Sequence, residues 1–346
     1  MTLMDIRSAR SAAKKGSTRK GASSADGERF NEFTDMIATL NKGSVNRSFD
    51  AYGDIDWDAP EMAVFDNDER WILPEADPIG RHPWYLAQSK ERQIKIGMWR
   101  QANVAKVGLE FEAILIRGMI QYVMQLPNGA PEFRYGMHES KEECNHIMMF
   151  QELVNRIGMD VPGGPRWFKL VSPFIPLAST LTPLTFFTGI LAGEEPIDHL
   201  QKSILRSADD LHPIFANVMA VHVAEEARHI SYAHEFIKYH LKDMGKAKKF
   251  VSSLMFPIVM RVLCDVIVKP PKSFRKEFDV PDEVMDEIFW NSEDGRELLT
   301  EVFCDVRMLA NDSGLINPVS KRLWKALKID GKASRYRSQP QEEMAA

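Results

Sequence analysis

The 346-residue chain has few cysteines, little excess of charge of one sign and almost no sequence typical of β-strands. Its three cysteines, Cys144, Cys264 and Cys304, form no close pair and no CxxC motif, so we expect free thiols and a reducing, cytoplasmic location. The chain has 49 acidic and 44 basic side chains, which give a formal net charge of −5, and it has no long basic face. These features argue against nucleic acid as a partner.

Long hydrophobic runs are also scarce. The basic N-terminal segment lacks the apolar core of a secretory signal, so we expect a flexible tail over residues 1–27, with an organelle presequence as the alternative. The uncharged stretch 170–193 is long enough to span a bilayer, but Pro173, Pro176 and Pro183 interrupt it. We therefore predict no membrane span and place this stretch in the protein interior. The alternative is a hydrophobic partner surface or a substrate tunnel.

Helical periodicity covers most of the remaining chain. The apolar spacing and the positions of proline and glycine predict helices over 28–42, 83–126, 137–156, 183–207, 213–242, 246–268, 282–289, 293–310 and 320–327. This pattern predicts an all-α protein. We expect one domain over 28–328, followed by a flexible tail over 329–346.

Two Glu-x-x-His tetrads lie in the middle of predicted helices, at Glu143 to His146 and at Glu226 to His229. Residues i and i+3 share one face of a helix, so each Glu and His can bind one ion together. A single tetrad is common on solvated helices, but two of them suggest a carboxylate-bridged site in a four-helix bundle. Such a site also needs one Glu from each of two further helices.

Helical phase and spacing select those two carboxylates. Glu112 lies on the apolar stripe of its helix, whereas Glu110 lies on the polar face. Glu112 precedes Glu143 by 31 residues, and Glu195 precedes Glu226 by the same number, so spacing favours Glu195 over its neighbour Glu194. The repeated pattern predicts four carboxylates and two imidazoles in one core, and both halves must then belong to one domain.

Four carboxylates balance the charge of two divalent ions, and mixed oxygen and imidazole ligands suit iron or manganese, with zinc allowed by affinity. Iron is our choice. His222 lies on the same helix face as Glu226 and His229, either as a further ligand or as a packed residue nearby; His199 competes for this role. We expect Glu142 and Glu225 to hydrogen-bond the opposing His ligands, and an ion pair with Arg228 is the alternative.

From about residue 49 to residue 318 the sequence resembles the AurF-type di-iron N-oxygenases, a group of the ferritin-like superfamily. The resemblance rests on the Asp54-Ile55-Asp56-Trp57-Asp58 segment, the doubled Glu and Glu-x-x-His pattern, and the run from His222 to His229. It implies a ferritin-like four-helix bundle with additional N- and C-terminal helices, and a homodimer. The ligands that it implies are Glu112, Glu143, His146, Glu195, His222, Glu226 and His229.

The resemblance also implies a reaction, in which two iron ions use O2 and an external electron donor to oxygenate an aromatic amine to hydroxylamine, nitroso or nitro products. The alternatives are a di-iron hydroxylase or desaturase of a carrier-bound or lipid-like substrate, and a metal-binding or structural bundle without activity. A radical-generating subunit would carry Tyr one turn after His146, where this chain has Phe150. Arg261 and Asp265 are predicted to form an ion pair, with a substrate-carboxylate site at Arg261 as the alternative.

Overall fold

The structure, a computed structural model, describes residues 24–207 and 210–337, and within those ranges it is helical and has no β-strand. The prediction of an all-α, ferritin-like fold is confirmed. Numbered along the chain, the helices are α1 (Ser24–Asn46), α2 (Pro83–Leu86), α3 (Lys90–Val123), α4 (Pro131–Ile157), α5 (Arg166–Val171), α6 (Ala178–Leu181), α7 (Pro183–Ser207), α8 (Pro213–Lys242), α9 (Lys246–Val268), α10 (Lys272–Glu277), α11 (Asp282–Asp286), α12 (Glu293–Glu301), α13 (Cys304–Asp312) and α14 (Pro318–Ala326).

Four long helices, α3, α4, α7 and α8, form the core bundle. α3 packs along α4, and α7 packs along α8; the two pairs meet through contacts of α3 with α7 and of α4 with α8. Short loops join the helices within each pair, and the long segment 158–182 connects the pairs. Two helix pairs with one long crossover are typical of a ferritin-like bundle. α1 lies against α4 and α8, and α9 lies against α7.

The helix ends follow local sequence signals. Pro131 at the first position starts α4 six residues earlier than predicted, and Gly158 ends it in the left-handed region at φ 73°. Ser89 caps α3, so the predicted helix 83–126 is divided into α2 and α3. α7 continues through Pro196, which lies inside the helix and does not end it.

The uncharged stretch 170–193 differs from its predicted interior position. In its first half, Leu170, Phe174, Leu177 and Leu181 are exposed, whereas the second half, from Pro183 to Gly193, is largely buried within α7. The interior prediction is therefore wrong for residues 170–181. These residues form a short helical layer, comprising α5, a 3-10 turn over Ile175–Leu177 and α6, which packs on α3 and α7.

The C-terminal helices pack on the outside of the bundle. By length and composition alone, the helical stretch Lys246–Glu277 could cross a membrane, which is weak evidence because the core helix of a soluble protein passes the same test. In this fold α9 packs on α7 and α14, with the Phe256 ring 6.2 Å from Trp324. Residues 329–337, predicted to belong to a flexible tail, lie against α13, where Ser334 donates a hydrogen bond to the Cys304 carbonyl group.

The structure has the three free thiols and the Arg261–Asp265 ion pair that the sequence predicts. Cys144, Cys264 and Cys304 are all free. Arg261 forms an ion pair with Asp265, and its Nε also donates to the Leu327 carbonyl oxygen at 3.1 Å. Asp265 in turn accepts a hydrogen bond of 2.7 Å from the Trp290 indole. Arg261 is therefore held by protein groups on α9, α14 and the segment that follows α11.

Candidate metal centre

The bundle helices bring six of the seven predicted ligands together in the core. Glu112 comes from α3, Glu143 and His146 come from α4, and α8 contributes His222, Glu226 and His229. Each of these residues is at most 5% exposed. The i, i+3 and i, i+4 spacings of the sequence therefore place the donor atoms on helix faces that converge inside the bundle.

The donor atoms form two overlapping groups, each compact enough to surround one ion. In the first group, atoms of Glu112, His146, His222 and Glu226 all lie within 4.8 Å of one another. In the second, atoms of Glu143, His146, Glu226 and His229 do the same. The groups share His146 and Glu226 and therefore lie side by side, close enough for two neighbouring ions.

Glu143 and Glu226 occupy the middle of this arrangement. Glu143 Oε2 lies 3.0 Å from His146 Nδ1, and its Oε1 lies 2.7 Å from His229 Nδ1. Glu226 Oε1 lies 3.3 to 3.5 Å from a nitrogen of each of three histidines, which are His146, His222 and His229. Both carboxylates thus face imidazoles from two helices, the position that a bridging ligand requires.

Hydrogen bonds from outside the cluster fix the orientation of all three histidines. His146 Nε2 lies 3.0 Å from Glu225 Oε2, and His229 Nε2 lies 2.8 Å from Glu142 Oε2. In both cases the carboxylate comes from the opposing helix, as the sequence suggested. Each ring therefore directs Nδ1 into the cluster, because Nε2–H is committed to a carboxylate.

Arg228 joins the two outer carboxylates. Its Nη2 lies 3.0 Å from Glu142 Oε1 and 3.3 Å from Glu225 Oε1. The ion pair with Arg228, considered as an alternative to the histidine contacts, thus exists together with them. A single buried cation balances part of the charge of two buried carboxylates, and this leaves their other oxygens for the histidines.

His222 has the opposite ring orientation. Its Nδ1 donates to Gln201 Oε1 at 2.8 Å, and its Nε2 lies 3.5 Å from Glu112 Oε1 within the cluster. Gln201 on α7 was not identified from the sequence. Its position seven residues after Glu194, on the same face of one helix, is the signal that could have found it. His199, the competing candidate, is in neither donor group.

Glu195 is the one predicted ligand that the structure does not bring to the cluster. Its Oε2 lies 2.8 Å from His234 Nε2, and Lys202 also acts on it electrostatically. The neighbouring Glu194 lies on the cluster side instead. It lines the same cavity as Glu112 and His222, the charges of Glu226 and Glu143 act on it, and neither of its oxygens has a hydrogen-bond partner within the described chain. Adjacent residues on a helix point about 100° apart, so only one of the two can face the bundle axis.

Glu110 and Glu112 are separated in the same way. Glu112 lies in the cluster, whereas Glu110 accepts a hydrogen bond from the Gly164 amide at 3.0 Å and pairs with Lys169 at 3.2 Å. The phase argument from the sequence therefore selects the side chain that the fold buries at the centre.

Burial and mutual repulsion distort the titration of the acids in this cluster. Burial raises the pKa of Glu112 well above its ordinary value, and the charge of Glu143 raises it further. Burial and the charge of Glu226 do the same to the pKa of Glu194. One turn before Glu143, burial raises the pKa of Glu139 to about 8. Without a cation, Glu112, Glu139 and Glu194 thus bind protons more readily than free carboxylates do.

The donor set fits a pair of divalent ions. Both oxygens of Glu226, both of Glu194 and Nε2 of His222 are buried without a hydrogen-bond partner in the described chain. Buried polar atoms in native proteins nearly always have a partner. A group of unpartnered oxygen and nitrogen atoms in one place therefore indicates a binding site for a cation. Two divalent cations would satisfy these atoms and neutralise four carboxylates.

A large apolar cavity of about 390 Å³ adjoins the cluster. Glu112, Glu194 and His222 line its inner end, and aromatic and aliphatic side chains from α3, α5, α7 and α9 line the rest. The position of a radical tyrosine is occupied by Phe150, whose ring centroid lies 4.9 Å from that of His222 and which also lines the cavity.

Comparisons with known proteins agree with this geometry. The chain is 59% identical over 315 residues to a protein of Mycobacterium tuberculosis and to one of Mycobacterium bovis, both described only as uncharacterized. The matched region covers 91% of this chain and 93% of each relative. The family model described as p-aminobenzoate N-oxygenase AurF matches residues 31–314. The chain belongs to the AurF p-aminobenzoate N-oxygenase family, a family of di-iron oxygenases.

Proposed function

We propose that this protein is a non-haem di-iron oxygenase that adds oxygen to the nitrogen atom of an amine. The metal ligands in this proposal are Glu112, Glu143, His146, Glu194, His222, Glu226 and His229. The observation that carries the proposal is the cluster of buried carboxylates and imidazoles, several of whose atoms have no hydrogen-bond partner, beside a large apolar cavity. Glu194 replaces Glu195 in this ligand set because it is the acid whose oxygens face the centre.

The reaction needs an external electron donor. In the first step an amine RNH2, O2, two electrons and two protons give the hydroxylamine RNHOH and water, and further oxidation gives nitroso and nitro products. When bound, the two iron ions supply the reductive activation of O2. A reductase protein or a chemical reductant supplies the electrons.

The residues of the chain orient the histidine ligands and keep bulk water away from the site. Glu225, Glu142 and Gln201 fix which nitrogen each histidine presents, so the imidazoles are held in position before any ion binds. The cavity wall of aromatic and aliphatic side chains keeps bulk water away from the inner end, which protects reactive oxygen species from protonation and loss. An amine that enters the cavity reaches the cluster beside Glu112, Glu194 and His222.

The metal assignment is tested by metal analysis of matched variants. We expect close to two irons per chain after expression with iron, and a loss of most of that iron in Glu112→Ala and in Glu226→Ala. Glu110→Ala is the matched control for Glu112→Ala, because it lies on the same helix and contacts Gly164 and Lys169 instead. Full iron retention in both cluster variants would refute the site.

The reaction is tested by product analysis. Reduced, iron-loaded protein is mixed with O2 labelled with ¹⁸O and with a panel of aromatic amines, and the products are identified by mass spectrometry. We expect labelled hydroxylamine or nitro compounds, which require intact Glu143 and Glu226. If none of the amines is oxygenated and the iron is present, N-oxygenation is excluded.

A second candidate is hydroxylation or desaturation of a lipid-like substrate, which the apolar lining of the cavity favours. The same experiment separates the two functions when alkyl-substituted amines are used. N-oxygenation leaves the alkyl chain intact and places the label on nitrogen, whereas hydroxylation places it on carbon. Desaturation removes two hydrogens and incorporates no label.

We also propose a homodimer in the cytoplasm, as the family resemblance and the three free thiols suggest. Light scattering coupled to size-exclusion chromatography tests the assembly. A mass near 39.4 kDa would mean a monomer, and twice that mass would support the dimer.

A further inference from the structure

The cavity beside the cluster is lined almost entirely by apolar side chains. Its wall is formed by the helical layer of the crossover on one side and by α3, α7 and α9 on the other. Trp167, Val171, Phe174 and Val262 line the cavity and are also exposed, so they mark its opening to solvent. The path from this opening to the cluster therefore runs along aromatic and aliphatic surface.

Few polar side chains line the cavity, and none of them is a lysine or an arginine. Glu112, Glu194, His222 and Gln201 lie at the inner end, and beyond them the lining contributes only the Thr185 hydroxyl and the Trp167 indole. Gln201 Oε1 already accepts from His222. No Lys, Arg, Asn, Ser or Tyr is among the lining residues of the described chain.

Four basic side chains of the wall helices and the crossover are engaged elsewhere. Arg261 on α9 is paired with Asp265 and donates to the Leu327 carbonyl oxygen. Lys106 on α3 donates to Gln151 at 2.8 Å, and Lys169 of the crossover is paired with Glu110 at 3.2 Å. Lys202 on α7 is paired with Asp198 at 2.6 Å. The wall thus offers a bound carboxylate no counter-charge.

A substrate carboxylate would therefore be disfavoured along the wall and at the inner end of the cavity. Along the wall it would lose its hydration without gaining a partner, which is expensive for an ion. At the inner end it would face Glu112 and Glu194, which repel it unless metal or protons neutralise them. An uncharged amine with an apolar body has neither cost and gains from burial of its surface.

We propose that the substrate of this site is a neutral aromatic amine with an apolar substituent, and that the acid p-aminobenzoate is excluded. The inference rests on the proposed function for the position of the amine, which lies at the Glu112 and His222 end. The alkyl or aryl substituent extends along Phe111, Phe168 and Val259 toward the opening. The cavity volume of about 390 Å³ is within the range of small-molecule sites.

Calorimetric binding to the unmodified, iron-loaded protein, without reductant, tests the substrate class independently of turnover. The probes are 4-aminobenzoate, its neutral methyl ester, 4-ethylaniline and 4-hexylaniline. We expect the ester to bind at least about 30-fold more tightly than the acid, because burial of an unpaired charged group is penalised by about 2 kcal/mol or more. Each methylene from ethyl to hexyl should add up to about fourfold in affinity.

Substitution of Gly189, which lines the cavity on α7, tests the location. A Cβ built on Gly189 has only Leu263 Cδ1 within 4 Å, at 3.9 Å, so a longer side chain there projects into open space. Gly189→Leu should weaken 4-hexylaniline binding at least tenfold, whereas the matched Gly189→Ala should leave it within threefold. Circular dichroism of both variants checks that the fold is retained.

A gain-of-function variant tests the charge argument. Val262→Arg places a cation at the partly exposed wall. It should raise the affinity for 4-aminobenzoate at least tenfold and should not raise that for the methyl ester.

The outcomes separate the two proposals. Equal or tighter binding of the acid than of the ester by the unmodified protein would overturn the substrate class, even if amines are oxygenated. Tight binding of 4-hexylaniline that Gly189→Leu abolishes supports the substrate class. If that bound amine is then not oxygenated, the proposed function fails and the apolar ligand site stands.

Discussion

His146 and Glu225 are held together across the bundle, with Nε2 of the α4 histidine 3.0 Å from Oε2 of the α8 glutamate. His229 and Glu142 make the reciprocal contact, from α8 to α4, at 2.8 Å. Each Glu-x-x-His helix therefore orients the histidine of the other, and Arg228 links the two carboxylates. The metal-binding geometry is thus determined by the pairing of α4 with α8.

The first prediction concerns these outer carboxylates. Glu225→Gln keeps the shape of the side chain but removes the negative charge that holds the Nε2–H of His146. We expect iron affinity to fall about 10- to 100-fold, which is the usual effect of losing such a partner. Competition with a chelator measures the change. Glu235→Gln, at a partly exposed position on the same helix, should leave the affinity unchanged.

The second prediction separates the adjacent acids of α7. Glu194→Ala should lower the iron content by about half or more, because it removes a carboxylate that faces the cluster. Glu195→Ala should retain the iron and instead change the NMR signals of the His234 ring, which loses its hydrogen-bond partner. Metal analysis and NMR of the histidine rings give the two readouts. The reverse pattern would restore the spacing argument in favour of Glu195.

The third prediction is a pH dependence of the metal-free protein. Burial raises the pKa of Glu139 to about 8. Burial lowers the pKa of His146, but Glu143 and Glu225 outweigh it and raise that pKa to about 9. Both groups hold protons in the folded state that the unfolded chain releases at lower pH. This stabilisation is therefore complete below the unfolded values and is lost as pH rises through 8 and 9.

We accordingly expect the free energy of unfolding of the metal-free protein to fall by about 1 kcal/mol or more between pH 7 and pH 9. Iron loading should reduce the slope, since a metal displaces the proton of His146 in the folded state. Urea unfolding at several pH values, with and without iron, measures both slopes. Equal slopes would show that His146 does not exchange its proton for a metal.

The fourth prediction concerns a close helix contact away from the cluster. A Cβ on Gly97 of α3 would lie 1.7 Å from the backbone carbonyl oxygen of Trp71, which cannot move away as a flexible side chain would. Gly97→Ala should therefore destabilise the protein by about 1–3 kcal/mol or more. Gly189→Ala, also within a helix but beside open space, should be neutral or stabilising by up to about 1 kcal/mol. Thermal unfolding of both variants measures the difference.

Several features of the site follow from sequence alone. The spacing of each Glu-x-x-His tetrad places its two side chains on one helix face, whatever surrounds the helix. The apolar stripe of α3 separates Glu112 from Glu110, because a residue in phase with a buried face is itself buried. The all-α class and the number of bundle helices follow from the same periodicity.

Only the tertiary structure decided which residues contact each other where two helices meet. Spacing favoured Glu195 over Glu194, but the rotation of α7 about its axis, set by its packing on α8 and α9, turns Glu194 to the centre and Glu195 to His234. The contact of Gln201 with His222 also depends on how α7 packs against α8. The fold also exposed the first half of the uncharged stretch 170–193 and opened a cavity behind it, since an uncharged run of residues does not specify which of its sides faces solvent.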